Sequence, residues 1–310
     1  MRLLQLLAVI ASANAQHGPT RPLHCPALKD GVGKPVLIET ELGQINGTRC
    51  GHLDHFLGVY YGEPPLGPLR FRPAVPKKKW APKVMDATFY GPSCYTAGRK
   101  PSPNSSTGFF AGKPFNLTTD PGDENCLWVD VFRPAPASGA TEKELLPVMV
   151  WIHGGGFTSG RGDVNMTNIP TMQSGANKQI LVGIEYRLGP LGFLSSPEIA
   201  KLPESQGATG AMNGIRDAIV ALQWVQKNIR AFGGDPDRVT IMGESSGGLA
   251  VCTLVVSPKA KGLFKRAIVS SGACAGPWGP GTTQEGYDMS TRIMYVHKQP
   301  SIHMDFLERS

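Results

Sequence analysis

Two kinds of hydrophobic pattern alternate along the second half of the chain. Residues 148–152 and 180–184 are short, almost wholly apolar runs, which are typical of strands buried on both faces. Between Gly214 and Phe232 the apolar residues recur at spacings of three and four, which predicts an amphipathic helix. The glycine pair at 233–234 is expected to end that helix.

Further strands are predicted at both ends of this region. Residues 36–45 indicate two short strands, and 56–60, 127–132 and 266–270 indicate one each. Alternation of strands with helices is typical of the α/β class. We therefore expect a mostly parallel central sheet with helices on both faces.

A strand, a tight turn and a helix follow one another around Ser245. Residues 239–242 have a strand pattern, Gly243-Glu244-Ser245-Ser246-Gly247 matches G-x-S-x-G, and an apolar helix-compatible run follows. The pattern alone is often an ordinary Gly/Ser turn, but a strand before it and a helix after it favour a nucleophile elbow. We predict that Ser245 is a nucleophile.

A glycine run follows the apolar strand at 148–152. Gly154, Gly155 and Gly156 could turn their N–H groups toward one point without interference from side chains, as an oxyanion hole requires. In the hydrolase pattern such a loop complements the N–H of the residue after the nucleophile, here Ser246. His153 could act as a base, but its place at the strand end favours a structural role.

Four segments resemble one known family, the type-B carboxylesterases that include the cholinesterases. Residues 232–247 resemble the family's active-serine signature, and 124–134 resemble its second signature with Asn125 and Trp128 as departures. Residues 186–193 and 221–228 also match the family. The resemblance covers about residues 36 to 278 and implies an α/β-hydrolase fold.

The resemblance also implies roles for individual residues. Ser245 would be the nucleophile, and the N–H groups of Gly155, Gly156 and Ser246 would be the oxyanion donors. Further implications are structural, and comprise a Cys94–Cys126 disulfide and the ion pairs Arg70–Glu124 and Arg187–Asp217.

Two departures from the family affect the predicted function. Cholinesterases carry a tryptophan in the loop that corresponds to residues 94–126, whereas here that stretch has Phe109, Phe110 and Phe115 but no Trp. Because Trp makes the best cation–π site, we expect a neutral ester with an apolar acyl part rather than a quaternary ammonium ester.

The second departure concerns the acid and the histidine of the expected triad, which should follow Ser245 in the chain. The candidates lie in a polar tail unlike the family: Glu285, Asp288, His297, His303, Asp305 and Glu308. We therefore expect an incomplete chain, through a truncated gene model, an altered splice or a frameshift near residue 279. The expected division is a signal peptide at 1–15, the N-terminal part of the hydrolase domain at 16–278 and a divergent tail at 279–310.

Composition and charge exclude some partners. Hydrophobic residues make up 41% of the 310 residues and charged residues 18%, as in an ordinary globular protein. The formal charge is +7, but the basic residues are scattered and the one tight run is 77–79. Because no aromatic residues are interleaved with that run and no nucleic-acid motif is present, we predict a solvated loop and no nucleic-acid partner.

The N-terminus predicts secretion. Residues 1–15 combine a single positive charge, a short apolar core and a final Ala13-Asn14-Ala15, as in a secretory signal peptide. The alternative is an amphipathic helix of the mature fold. The apolar run is too short to span a bilayer, so no transmembrane segment is predicted. Four sequons agree with a secretory route and begin at Asn46, Asn104, Asn116 and Asn165.

Secretion favours disulfides for the six cysteines. Cys94 and Cys126 bracket a loop-like stretch, and Cys25 with Cys50 is a weaker pairing. Cys252, in the apolar helix after the elbow, is expected to be a buried free thiol. Cys274 is left without a partner, and its family partner would lie in the missing part.

The sequence as a whole predicts a secreted carboxylic ester hydrolase that works through an acyl-serine intermediate. Its expected partner is a small neutral ester, no cofactor or metal is expected, and no oligomeric state is predicted. The alternative is a non-catalytic binding or adhesion module on the same fold, because fold does not fix function. Such a module would not need Ser245 or the glycine triplet.

Overall fold

A computed structural model gives the fold of this chain. It describes residues 21–22, 33–96, 122–135, 144–163, 178–202, 205, 212–275 and 282–296. Three sequons (Asn104, Asn116 and Asn165), the predicted signal peptide and the tail candidates His297, His303, Asp305 and Glu308 lie outside these residues.

One large mixed sheet organises the described part of the chain, in the strand order β11-β10-β8-β9-β7-β4-β3-β2, with β5 paired to β3. Its strands are β2 (Lys34–Thr40), β3 (Gly43–Cys50), β4 (Leu53–Tyr60), β5 (Val84–Asp86), β7 (Trp128–Pro134), β8 (Leu146–Ile152), β9 (Ile180–Ile184), β10 (Gly234–Glu244) and β11 (Arg266–Ser270). Two further short strands, β1 (Arg21–Pro22) and β6 (Phe89–Tyr90), form a separate antiparallel pair.

The sheet divides into two halves of different character. Strands β9, β8, β10 and β11 are parallel, as the alternation of strands and helices predicted. The pairs β2–β3, β3–β4, β4–β7 and β7–β9 are antiparallel, and short turns join β2 to β3 and β3 to β4. The prediction of a mostly parallel sheet therefore describes only the half that contains Ser245.

Five described helices accompany the sheet: α1 (Gly189–Phe193), α2 (Pro197–Ala200), α3 (Asn213–Asn228), α4 (Ser246–Val256) and α5 (Thr283–Val296). Helix α3 confirms the predicted amphipathic helix, and α4 is the helix predicted after the elbow. Helix α5 was not predicted, because its residues were interpreted as an irregular polar tail. None of the described helices has the length and apolarity to cross a bilayer.

The main core lies between the sheet and helices α3 and α4. All the periodic apolar residues of the predicted helix are buried: Ile215, Ile219, Leu222, Val225 and Ile229. Strand β9 is buried along its whole length, as predicted. Strand β8 is not, because Met149 and Trp151 are only partly buried while their neighbours point into the core.

Strand β11 lies at one edge of the described sheet and is largely exposed. Ile268 and Val269 are 42% and 37% exposed. Asn46 lies in β3 and is partly buried, which places this sequon within a strand rather than in a loop.

Two ion pairs, one buried and one partly buried, confirm the pairings that the family resemblance implied. Arg187 donates to both carboxylate oxygens of Asp217 at 2.8 and 2.6 Å, and Arg70 donates to both oxygens of Glu124 at 2.6 Å. Bidentate geometry of this kind combines charge with orientation. Arg187 thereby ties the end of β9 to α3, beside the residues that precede α1.

Asp217→Asn should destabilise the protein strongly. The side chains of Arg187 and Asp217 are 3% and 0% exposed, so the substitution leaves a buried guanidinium without its counterion, at a cost of roughly 3–5 kcal/mol. Urea unfolding followed by circular dichroism measures this change. Asp235→Asn is the matched control, because its partner Arg238 is 39% exposed and water screens that pair. Equal effects of the two substitutions would contradict the assignment.

Candidate active site

Ser245 lies at a sharp turn between β10 and α4. Its φ of 56° and ψ of −124° are unusual for a residue with a side chain. The Ser245 N–H donates to the carbonyl of Ser270 at the end of β11, and the Ser245 carbonyl accepts the N–H of Leu249 to start the helix. Contacts on both sides therefore hold Ser245 in this strained conformation, which is typical of functional sites.

Backbone crowding explains the glycines on either side of Ser245. A Cβ at Gly243 would lie 2.2 Å from the carbonyl oxygen of Gly247, and one at Gly247 would lie 2.2 Å from the carbonyl oxygen of Ile152. No side chain fits at such distances. The glycines of the G-x-S-x-G pattern are thus required by contact within the elbow at Gly243 and by contact with the end of strand β8 at Gly247.

The glycine run after β8 faces the elbow. A Cβ at Gly154 would lie 3.1 Å from the Cβ of Ser245, so loop and nucleophile candidate are in direct contact. Gly155 and Gly156 have φ values of 115° and 65°, which favour glycine. Their N–H groups donate no hydrogen bond to any other residue in the described ranges. These two amides therefore remain available as donors.

Ser246 is the first residue of α4 and is buried. The first N–H groups of a helix have no partner within the helix and favour negative charge nearby. The structure places Gly154 against Ser245, and Gly155 and Gly156 directly follow Gly154. The role of the Gly155, Gly156 and Ser246 N–H groups as oxyanion donors stays a prediction.

His153 is buried beside the glycine run. Its Nδ1 lies 2.8 Å from the carbonyl oxygen of Gly154, and its ring stacks on Tyr186 with centroids 4.3 Å apart. Burial lowers the pKa of His153 to about 4. These contacts favour the predicted structural role over a role as a base.

No described histidine hydrogen-bonds the Ser245 hydroxyl. Glu285 and Asp288, two of the candidate acids in the tail, lie on the exposed surface of α5. Glu285 accepts a hydrogen bond from Thr282, and Asp288 accepts one from Gln284. The structure therefore does not bring these carboxylates to Ser245, and it describes no proton acceptor for the serine.

Sequence reasoning missed Glu185, a buried carboxyl next to the site. Its two oxygens accept the N–H groups of Cys94 and Gly162, so it joins the base of the disulfide loop to the segment after the glycine run. Burial raises the pKa of Glu185 to about 8, against the lowering effects of the Arg161 charge and the two hydrogen bonds. The sequence feature that could have pointed to Glu185 is its position as a charged residue directly after the apolar run at 180–184.

Disulfides fix two segments near the site. The structure contains the Cys94–Cys126 pair that the resemblance implied. It also joins Cys252 to Cys274, so the prediction that Cys252 is a free thiol and Cys274 is without a partner is wrong. The chain after β11 returns across α4 and brings the two Cα atoms within 5.3 Å, a distance typical of disulfides. Cys50 is also disulfide-bonded, and its predicted partner Cys25 lies outside the described residues.

Comparison with known proteins identifies relatives of this architecture. The model of the carboxylesterase family matches residues 34–299. The chain is 37% identical over 285 residues to an acetylcholinesterase of Bungarus fasciatus, covering 91% of this chain and 43% of that protein. It is 38% identical over 238 residues to the para-nitrobenzyl esterase of Bacillus subtilis (strain 168), covering 76% and 44%.

A solved structure of a thermophilic PNB esterase superimposes with a TM-score of 0.69 at 34% identity, covering 88% of this chain and 50% of that one. The chain thus spans less than half the length of the curated relatives described here and half that of the solved structure. The shared fold is the α/β-hydrolase fold.

Glu185 should make stability depend on pH. A carboxyl whose pKa rises from 4.5 to about 8 on folding stabilises the fold fully below the lower value, and this contribution is lost as the pH rises through the higher one. Thermal unfolding at pH 6 and pH 9 should show a drop in Tm for the native chain and a smaller drop for Glu185→Gln. The facing groups Arg161, Asp163 and Asp130 remain in both proteins.

Glu198→Gln is the control for this pH dependence, because Glu198 is an exposed carboxyl of α2. It should retain the Tm drop of the native chain. An unchanged drop in Glu185→Gln would contradict the role of Glu185.

Proposed function

Because the chain belongs to the carboxylesterase family, we propose that it carries the nucleophile and the oxyanion-binding part of a carboxylic ester hydrolase. In this proposal Ser245 attacks the ester carbonyl, and an acyl-serine forms as the alcohol leaves. The N–H groups of Gly155, Gly156 and Ser246 stabilise the negative charge that develops on the carbonyl oxygen.

The observation that carries the proposal is the contact between two segments distant in sequence. Gly154 and Ser245 lie against each other although some ninety residues separate them in the chain, with a 3.1 Å approach between a Cβ at 154 and the Cβ of Ser245. A binding module would need neither the strained serine nor two glycine amides that donate to no described residue. Their combination supports acyl transfer.

Proton transfer is the part of the reaction for which no described residue is suited. A serine hydroxyl is a weak nucleophile at neutral pH unless a base removes its proton. Without such a base, the oxyanion donors and binding alone retain part of the rate enhancement, as in serine proteases that lack their triad. We therefore propose that this chain, by itself, reacts slowly at Ser245.

The proposed substrate is a neutral carboxylic ester with an apolar acyl group. The stretch between Cys94 and Cys126 contains three phenylalanines and no tryptophan, which makes it a poor site for a quaternary ammonium.

We also propose that the protein is secreted. The pattern of residues 1–15 and the disulfides Cys94–Cys126 and Cys252–Cys274 support this location, because disulfides persist in oxidising compartments.

A fluorophosphonate probe tests the nucleophile. The native chain should be labelled slowly at Ser245, and Ser245→Ala should abolish the labelling. Intact-mass and peptide mass spectrometry measure the extent and the site. Ser257→Ala, a serine beyond the end of α4, should behave as the native chain.

Labelling that is absent or independent of Ser245 would contradict the proposal and favour the binding module. Rapid labelling that His297→Ala abolishes would show instead that the tail supplies the base.

The substrate class has its own test. We expect Ser245 to be acylated faster by a neutral ester than by the isosteric choline ester, because no tryptophan is available in the 94–126 stretch to bind the cation. The ratio of second-order acylation rates, corrected with Ser245→Ala, measures the preference. A clear preference for the choline ester would contradict the prediction.

A further inference from the structure

The side chain of Ser246 reaches from helix α4 to the glycine-rich loop. Its Oγ accepts the N–H of Phe157 at 3.3 Å, and the residue is 4% exposed. Phe157 directly follows the glycine triplet and has a φ of 59°. The hydroxyl therefore holds the end of the triplet against the start of the helix.

Tyr186 holds the other end of the triplet. Its hydroxyl donates to the carbonyl oxygen of His153 at 2.7 Å, and its ring stacks on the His153 imidazole. Tyr186 is 1% exposed, so neither contact competes with bulk water. His153 directly precedes the triplet.

Ser246 and Tyr186 are neighbours, because burial raises the pKa of Tyr186 and the Ser246 side chain lowers it. The Tyr186 proton points to the His153 carbonyl, so we infer that the Tyr186 oxygen accepts the proton of Ser246. Each hydroxyl then acts once as donor and once as acceptor. A network of buried hydrogen bonds of this kind restricts the motion of the residues that it joins.

The loop between the two anchors would otherwise be flexible. Glycine adopts more backbone conformations than any other residue, and three glycines stand in a row at 154–156. Oxyanion donors are effective only when they already point at the developing charge. Fixing residues 153 and 157 limits the directions in which Gly155 and Gly156 can point.

We propose that Ser246 and Tyr186 are positioning residues whose hydroxyls fix the N–H groups of Gly155 and Gly156 relative to that of Ser246. This inference rests on the proposed function, since it assigns these amides to the oxyanion. Ser246 then contributes twice, with its amide as a donor and its side chain as an anchor.

The test uses Ser246→Ala, Tyr186→Phe and the double variant of the whole chain. Hydrogen exchange followed by mass spectrometry should show the amides of residues 153–158 exchanging about three- to tenfold faster in either single variant, the effect of one lost hydrogen bond. Amides of α3 should be unchanged. Because the hydroxyls form one network, the double variant should exchange little faster than either single variant.

The kinetic measurement separates positioning from general destabilisation. The maximal rate of Ser245 phosphonylation should fall roughly tenfold while the probe concentration for half-maximal rate stays the same, as expected for interactions made only in the transition state. Thr253→Val is the matched control, because the Thr253 hydroxyl also lies on α4 but bonds only to Leu249 within the helix.

Unchanged exchange at 153–158, or effects that simply add in the double variant, would overturn the proposal. If Ser246→Ala does not fold, the exchange of residues 153–158 in Tyr186→Phe decides, and unchanged exchange there overturns the proposal. If loop exchange is faster in the variants but Ser245 reacts in none of the proteins, the proposed function is refuted. The anchoring of the loop by Ser246 and Tyr186 would still stand.

Discussion

Close backbone contact at the carboxyl end of the parallel strands is the constraint on which the rest of the site depends. The elbow, the end of β8 and the segment after β11 approach each other more closely than any Cβ would permit. Gly272, for example, would place a Cβ 2.8 Å from the Cα of Gly248. Because glycine occupies each contact, three segments that are distant in sequence can place their backbone groups within one small region. The register puts Ile152 beside Gly243 and Glu244 beside Ser270, so the strands deliver these segments to the same edge.

Buried charge holds the surroundings of this edge. Arg187 and Asp217 join β9 to α3, while Glu185 joins two loops through backbone N–H groups. Each arrangement carries a desolvation cost, which is why burial raises the pKa of Glu185. The fully buried Asp130 has a raised pKa for the same reason. Buried polar groups therefore join the end of β9 to α3 and to the two neighbouring loops.

Individual helices, strands and the elbow could be predicted from the sequence, because each has a residue pattern within its own few residues. The periodic helix at 213–228, the strands at 180–184 and 266–270 and the elbow all have patterns contained within a few residues. The sequence predicted less of what depends on tertiary contact. The Cys252–Cys274 disulfide depends on the path of the chain over α4. The antiparallel half of the sheet depends on which strands lie next to each other, and the periodicity of apolar residues does not encode that order. Glu185 was missed because a single charged residue at a strand end has no pattern of its own.

The proposed ester hydrolysis has two parts that place different demands on the structure. Stabilisation of the oxyanion needs backbone N–H groups in fixed directions, and in the proposed site these come from 146–163 and 234–256, where backbone crowding and the hydroxyls of Ser246 and Tyr186 restrict the loop. Proton transfer needs side chains of suitable pKa that reach Ser245, and none of the described residues provides one. Backbone donors are fixed by the fold itself, so they can form before any base is in place. In the proposed reaction the described residues would thus bind the transition state, while the step that generates the nucleophile would need a base from outside the described ranges.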